Sequence, residues 1–509
     1  MRSSGSPAGR ACHLPDRRWQ AWRVLADSAI ARLRDDLLAA GFTLDGVSDR
    51  LGASGLAGLE RNSSVPAAAA LGHEADAQAD LVRLWILGHR VPAARVLAAL
   101  PSASELLEAG LLRREDDALL ADVELKPYGT DRLTGWICSD PTPLDGRIVR
   151  PRPDFVLGAS PASTTLTQLV PSRHVGRALD LGTGCGIQSL NLDAGAIVAT
   201  DVNPRALELA RITLGLSGVE ADLRPGSLYE PVAGERFDLI ATNPPYVISP
   251  PGGERLVYRE TGLGGDELMR QVVTGAPQRL ADGGTLVVLG NWAITDRPWE
   301  ERLAGWLRPT GCDALVLERE RLDRYAYIEL WLADAGLVGS DDYDRRYAEW
   351  LDYFDATGIR EVGLGWLALR NSGRERPEVR IEQWPHLVHQ PVGDAIAAFF
   401  DSVGDARLDH AELLASRWRR HPGVVQETLG EPGAADPQHL VLRQHYGLGR
   451  ALEPGTELAA VVGACDGELP LGRLVDAVAS LTGAERVTLE TEVLAAVRRL
   501  VLEGFLHRA

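Results

Sequence analysis

The sequence predicts an α/β protein: a central parallel sheet wrapped by helices, set between an N-terminal helical, winged-helix-like unit and a C-terminal α+β unit that also ends winged-helix-like. Three observations predict it. From residue 178 onward, short apolar runs alternate with glycine turns and helical stretches, a pattern that implies right-handed crossovers and a parallel sheet. Ahead of this stretch, apolar residues recur at three- and four-residue spacing over Trp19–Leu100, the period of buried helix faces. Behind it, the last 60 residues combine two amphipathic stretches with a short extended end.

The elements follow in chain order. Residues 1–15 read as a frayed tail. Residues 16–130 read as a helical, winged-helix-like domain, with Trp22, Leu25, Ile30, Leu33 and Leu37 on one stripe and a turn at Glu115-Asp116-Asp117 before an extended Ala118–Leu125. The central domain is expected over 131–335. Its strands are predicted at Ala178–Leu181, Ala196–Thr200, Phe237–Ala241 and Thr285–Leu289, and a late, antiparallel one at Tyr325, Tyr327, Glu329 and Trp331, where apolar residues alternate. Helical periodicity fills Ala206–Leu214 and Leu268–Leu280. After a linker at Gly336–Asp342, residues 343–509 read as a third domain. It holds a helix around Tyr347–Phe354, a strand at Gly363–Leu369, helices at Leu471–Leu481 and Glu490–Leu502, and a wing from Gly504.

Charge and cysteine usage narrow the function classes. Lys and Arg number 53 against 71 Asp and Glu, a net charge of −18, and such a field repels polyanions, which argues against broad binding to nucleic acid or anionic membrane. The basic Arg417-Trp418-Arg419-Arg420 is expected to be a solvated helix face. Cys12, Cys138, Cys185, Cys312 and Cys465 form no CxxC pair, so neither a disulfide framework nor a metal site is expected and a cytoplasmic setting fits. The pair His386 and His389 lacks a third ligand.

Two constellations carry chemistry. The first is Leu179-Asp180-Leu181-Gly182-Thr183-Gly184-Cys185-Gly186, which leaves a strand and enters a helix; its glycines let the backbone turn sharply and approach a ligand. Asp201 follows Gly182 by 19 residues at the end of the next strand, where a carboxylate can accept hydrogen bonds from two ribose hydroxyls. The second is Asn243-Pro244-Pro245-Tyr246, directly after a predicted strand and 57 residues beyond Gly186. A planar amide or amine nitrogen is a poor nucleophile because its lone pair is delocalised. The Asn243 side-chain carbonyl and the Pro244 backbone carbonyl can each accept one of its N–H groups, with two prolines fixing their positions and Tyr246 offering a flat face.

Together these residues resemble the class I S-adenosylmethionine-dependent N-methyltransferases with an NPPY motif, in particular the release-factor glutamine N5-methyltransferases. The resemblance covers roughly residues 145–335 and extends to Val202-Asn203-Pro204-Arg205 and to Arg259-Glu260 followed by Gly262-Leu263-Gly264-Gly265. It implies a Rossmann-like class I methyltransferase sheet and S-adenosylmethionine as cofactor. By the same likeness Asp180, Gly182, Thr183, Gly184 and Gly186 would line the methionine part. Asp201 and Asn203 would lie at the ribose, Ser227 and Leu228 at the adenine, and Asn243, Pro244, Pro245 and Tyr246 at the acceptor, with Asn243 also beside the cofactor. Gly186 and Asp201 stand only 15 positions apart, so the first helix is expected to be short. Arg152-Pro153-Asp154 resembles the family's approach motif in letters but lies upstream of its expected place. The expected substrate is a macromolecule, protein before nucleic acid, with no membrane partner. An exocyclic amine of guanine or adenine in RNA or DNA presents the same planar geometry, and a non-catalytic binding module on this fold is the third reading.

Overall fold

The computed structural model describes residues 24–130, 132–146, 152–252, 257–260, 262–431 and 439–509. The tail expected at 1–15, Cys12, Trp19 and Trp22 lie outside the described residues. The centre of the chain is an eight-stranded sheet: β1 (Val175–Leu181), β2 (Ala194–Asp201), β3 (Asp222–Pro225), β4 (Phe237–Thr242), β5 (Leu280–Ile294), β6 (Asp313–Asp323), β7 (Glu361–Arg370) and β8 (Val379–Gln383). Their spatial order is β8-β6-β7-β5-β4-β1-β2-β3. Strands β1 to β5 run parallel, and β7 is antiparallel to both β5 and β6.

This order fixes where a ligand can bind. From β1 the chain moves outward through β2 and β3, then crosses back to β4 and β5, so the order reverses between β1 and β4. Crossovers on opposite faces leave a crevice outside the carboxyl ends of those two strands. Both are buried apolar runs, with Leu179 and Ile240 at 0% exposure. The labelled crossovers are α1 (Ile187–Asn191), α2 (Pro204–Ser217) and α3 (Glu267–Gly275). With five residues, α1 is as short as the spacing demanded.

Two expectations are corrected here. Residues 325–331 form no strand; they belong to α4 (Arg324–Asp334), whose start is capped by the Asp323 carboxylate accepting from the N–H groups of Tyr325 and Ala326. The alternation of Tyr325, Tyr327, Glu329 and Trp331 mimics a strand, but the buried positions are Tyr327, Ile328 and Leu332, a helix face. The strand just upstream, β6, runs in the same direction as β1 to β5, and the late antiparallel strand is β7, beyond the helix. Arg417–Arg420 is likewise a strand and not a helix face: it pairs with Asp466–Pro470 and Leu506–Arg508, with Trp418 fully buried.

The expected domain limits also move. Beyond α4, α5 (Tyr343–Thr357) leads back into the sheet through β7 and β8, so a limit at 335 would remove two strands from it. A limit at 130 would cut the hairpin Glu124–Gly129/Thr134–Ser139, whose second strand rests on α2. There the amides of Trp136 and Cys138 donate to the hydroxyls of Ser217 and Thr213. The N-terminal helices and α2 share one apolar core, in which Ile30, Leu33 and Leu37 meet Leu209, Ile212 and Leu216. Among the described residues no helix is long and apolar enough to cross a membrane.

Candidate active site

The crevice is built from four chain turns tied to one another. The glycine turn leaves β1 with Gly182, Gly184 and Gly186 at φ of 78°, 55° and 86°, a region open to glycine but strained for other residues. The amides of Gly182 and Thr183 both donate to the Thr200 carbonyl at 2.9 Å, which pins the turn to β2. Asp180 at its root is 1% exposed, and its Oδ2 accepts from Thr183 Oγ1 (2.7 Å) and from the Ser189 amide (3.0 Å) and hydroxyl (2.7 Å). Burial pushes the Asp180 carboxyl up from its ordinary range, and these bonds oppose the shift. Asp180 and Thr183 therefore shape the turn and hold the first turn of α1. Ser189, which nothing in the sequence pattern marked, does the same from the helix side.

Asp201 ends β2. Its Oδ2 accepts from the Gly184 amide (2.9 Å) and its Oδ1 from the Asn203 amide (2.8 Å). Burial raises its pKa to about 6, against those two backbone bonds. The Asn203 side chain is used within the protein: its Oδ1 caps α2 by accepting from Arg205, and its Nδ2 donates to the Asp154 carbonyl (2.9 Å). Arg152-Pro153-Asp154, which sequence spacing set aside, thus runs along the rim beside Asn203. Below it, Arg205 forms an ion pair with Asp140 (2.5 Å), both nearly fully buried. The Gly226 amide donates to the Asp201 carbonyl (3.0 Å) and places exposed Ser227 and partly buried Leu228 next to Asp201. Leu228 has φ 48°, a left-handed conformation that costs on the order of 1 kcal/mol for a branched side chain.

Asn243-Pro244-Pro245-Tyr246 leaves β4 on the other side of the glycine turn. Thr242 Oγ1 donates to the Leu181 carbonyl (2.6 Å) and clamps the end of β4 to that of β1. The Asn243 Oδ1 atom is buried and has no hydrogen-bond partner, which is costly unless a ligand supplies a donor. Tyr246 packs between the two apolar layers of the sheet, and burial raises its hydroxyl pKa. The segment after the motif folds back: the Val247 amide donates to the Arg259 carbonyl (2.9 Å), and buried Arg259 pairs with Glu260 (3.0 Å) and Asp334 (2.7 Å). Cys185, inside the glycine turn, is a buried thiol whose pKa is pushed up to about 12 by burial, an inert spacer.

Residues 158–303 match the family model described as "Methyltransferase small domain", and residues 39–122 match a domain of unknown function. A release factor glutamine methyltransferase of Xylella fastidiosa is 36% identical over 23% of this chain and 47% of its own. A protein of the same name from Deinococcus radiodurans is 35% identical over 28% and 58%. A ribosomal protein uL3 glutamine methyltransferase of Bradyrhizobium diazoefficiens is 32% identical over 26% and 47%. The chain spans about half the length of these curated relatives. A solved methyltransferase from Pyrococcus furiosus aligns over 42% of this chain and 85% of its own at 18% identity and a TM-score of 0.25. Residues 158–303 of this chain thus match the methyltransferase small domain, and its relatives include proteins named release factor and ribosomal protein uL3 glutamine methyltransferases.

Proposed function

We propose that the chain moves a methyl group from S-adenosylmethionine to a planar amide nitrogen, a protein glutamine side chain first. One observation carries this reading: the buried, unpartnered Oδ1 of Asn243 at the carboxyl end of β4, clamped beside the glycine turn. The residues fit the cofactor. A Cβ built on Gly182 or Gly184 meets nothing within 4 Å, so the turn faces open space, and Asp201 stands at the next strand end with the Ser227 loop against it. These turns would hold the methionine, ribose and adenine parts in that order.

When bound, S-adenosylmethionine supplies a methyl group on a positively charged sulfur that leaves as a neutral thioether. Asn243 Oδ1 and the Pro244 carbonyl each accept one N–H of the acceptor, drawing its nitrogen toward tetrahedral geometry and aiming its lone pair at the methyl. Pro244 and Pro245 fix both acceptors in advance. As the N–C bond forms and the methyl–sulfur bond breaks with its electron pair left on sulfur, the nitrogen becomes strongly acidic and gives one proton to solvent water, so no strong base is needed. A protein acceptor is supported by the net charge of −18 and by the names of the relatives. A reducing cytoplasm suits the free, buried thiols of Cys138, Cys185, Cys312 and Cys465. The flanking units, helices with small antiparallel sheets in each, would recruit the macromolecule.

Methyl-labelled cofactor incubated with the protein and cell lysate tests this. The label is expected to enter material that protease degrades and nuclease does not. Asn243→Ala should lower transfer about a hundredfold or more with cofactor affinity within a few fold. Label that survives protease and is lost to nuclease would move the acceptor to a nucleobase amine. Absence of both transfer and calorimetric binding at millimolar cofactor would leave the non-catalytic module.

A further inference from the structure

Strands β6 and β7 are antiparallel neighbours from Asp313↔Arg370 to Asp323↔Glu361, a pairing that a two-residue turn would close. The connection instead runs from Arg324 to Arg360 and carries α4 and α5, which reach back over the exit of β4. Tyr327 of α4 is fully buried, and its hydroxyl accepts from the Ile248 amide (2.9 Å), two residues past Tyr246. The same oxygen lies 2.7 Å from the side-chain amide of Asn291 on β5. Asn291 is itself 0% exposed and keeps its other amide atom unpartnered. Val288 of β5 pairs with Thr242, so Asn291 stands three residues past the last strand residue of β4, alongside the motif. The ring of Tyr327 is wedged among Trp331, Trp350 and Phe354, with centroids 6.0 to 6.3 Å away, and this fixes the hydroxyl.

We propose that Tyr327 is a positioning residue for the acceptor grip: through its hydroxyl, the inserted helix pair sets where Asn243 to Tyr246 stand. The inference rests on the reading that this segment grips a planar nitrogen. Two prolines make the segment stiff, so a pin at Ile248 is felt at Asn243. Misplacement of reacting groups by about 1 Å costs about a hundredfold in rate. In the same reading the cofactor rests on Asp180 and the glycine turn at the end of β1 and on Asp201 at the end of β2, whose hydrogen bonds involve neither Ile248 nor Tyr327, so its affinity should not follow the pin.

Tyr327→Phe keeps the ring packed against its aromatic neighbours and deletes the hydroxyl. It should lower kcat about tenfold or more while KM for S-adenosylmethionine stays within about twofold, and the Ile248 amide should exchange its hydrogen faster. Tyr325→Phe, on the exposed side of the same helix, should change neither. A folded Tyr327→Phe protein with kcat within about twofold of wild type overturns the proposal, and so does a matching loss of cofactor affinity. If that variant fails to fold, Asn291→Leu, of the same shape, should show the loss of kcat, and an unchanged kcat there overturns the proposal. A wild-type protein that transfers no methyl at all would overturn the functional reading itself, a result distinct from an active wild type with an unimpaired variant.

Discussion

In the proposed reading, the Asp201 carboxyl is asked to do two opposed things. Its burial favours the protonated form, with a pKa of about 6, whereas a ribose needs the ionised oxygens as acceptors. The raised folded-state pKa means that its contribution to stability is present below the ordinary aspartate value and is lost as the pH rises through about 6. Cofactor affinity should move the other way, falling as the pH drops through the same point. Calorimetric titration between pH 5 and 8 checks this; affinity that is flat across that range contradicts a ribose role for Asp201. Asp201 and Asn243 could be singled out in the sequence because each stands at the end of an apolar run, Asp201 ahead of Val202-Asn203-Pro204 and Asn243 directly ahead of Pro244-Pro245. Tyr327 and Asn291 were not. Their bonds span 79 and 36 residues, and an aromatic residue in an apolar run reads as core whatever its hydroxyl does.

At the scale of elements, the five-residue α1 needs outside support, since so short a helix has little stability of its own. The hairpin Glu124–Gly129/Thr134–Ser139 supplies it. Asn191 at the end of α1 donates to Tyr128 Oη (2.9 Å) and to the Ile187 carbonyl (2.7 Å), and Cys185, Ile187 and Leu190 share a core with Leu125, Trp136 and Ile137. Tyr128→Phe should therefore cost about 1 kcal/mol and weaken cofactor binding several fold through a looser glycine turn. Thermal unfolding and cofactor titration of that variant check it, and unaltered affinity would show that α1 stands alone. The length of α1 and the strands β1, β2, β4 and β5 were readable because each is a local pattern with its own stop signal. The helix at 324–334 was misread because aromatic residues two apart imitate a strand while the deciding cap, Asp323, lies just outside the alternation.

At the scale of the molecule, a parallel sheet was implied by strand–helix alternation, though not its strand order, and the units do not divide where composition shifts. β7 and β8 come from beyond the linker at Gly336–Asp342, and the N-terminal helices close the core over α2. Such long-range pairings leave no local trace in a single sequence. They give the whole a common purpose, in which the N-terminal unit steadies the proposed cofactor side and the α4–α5 insertion the acceptor side. A crystal structure with S-adenosylhomocysteine tests the central claim most directly. The nucleoside should lie against Asp201 and the Ser227 loop, with the sulfur facing Asn243 Oδ1 across a gap large enough for one NH₂ group. A ligand seated away from residues 243–246, or an Asn243 Oδ1 closed off by the protein itself, would contradict it.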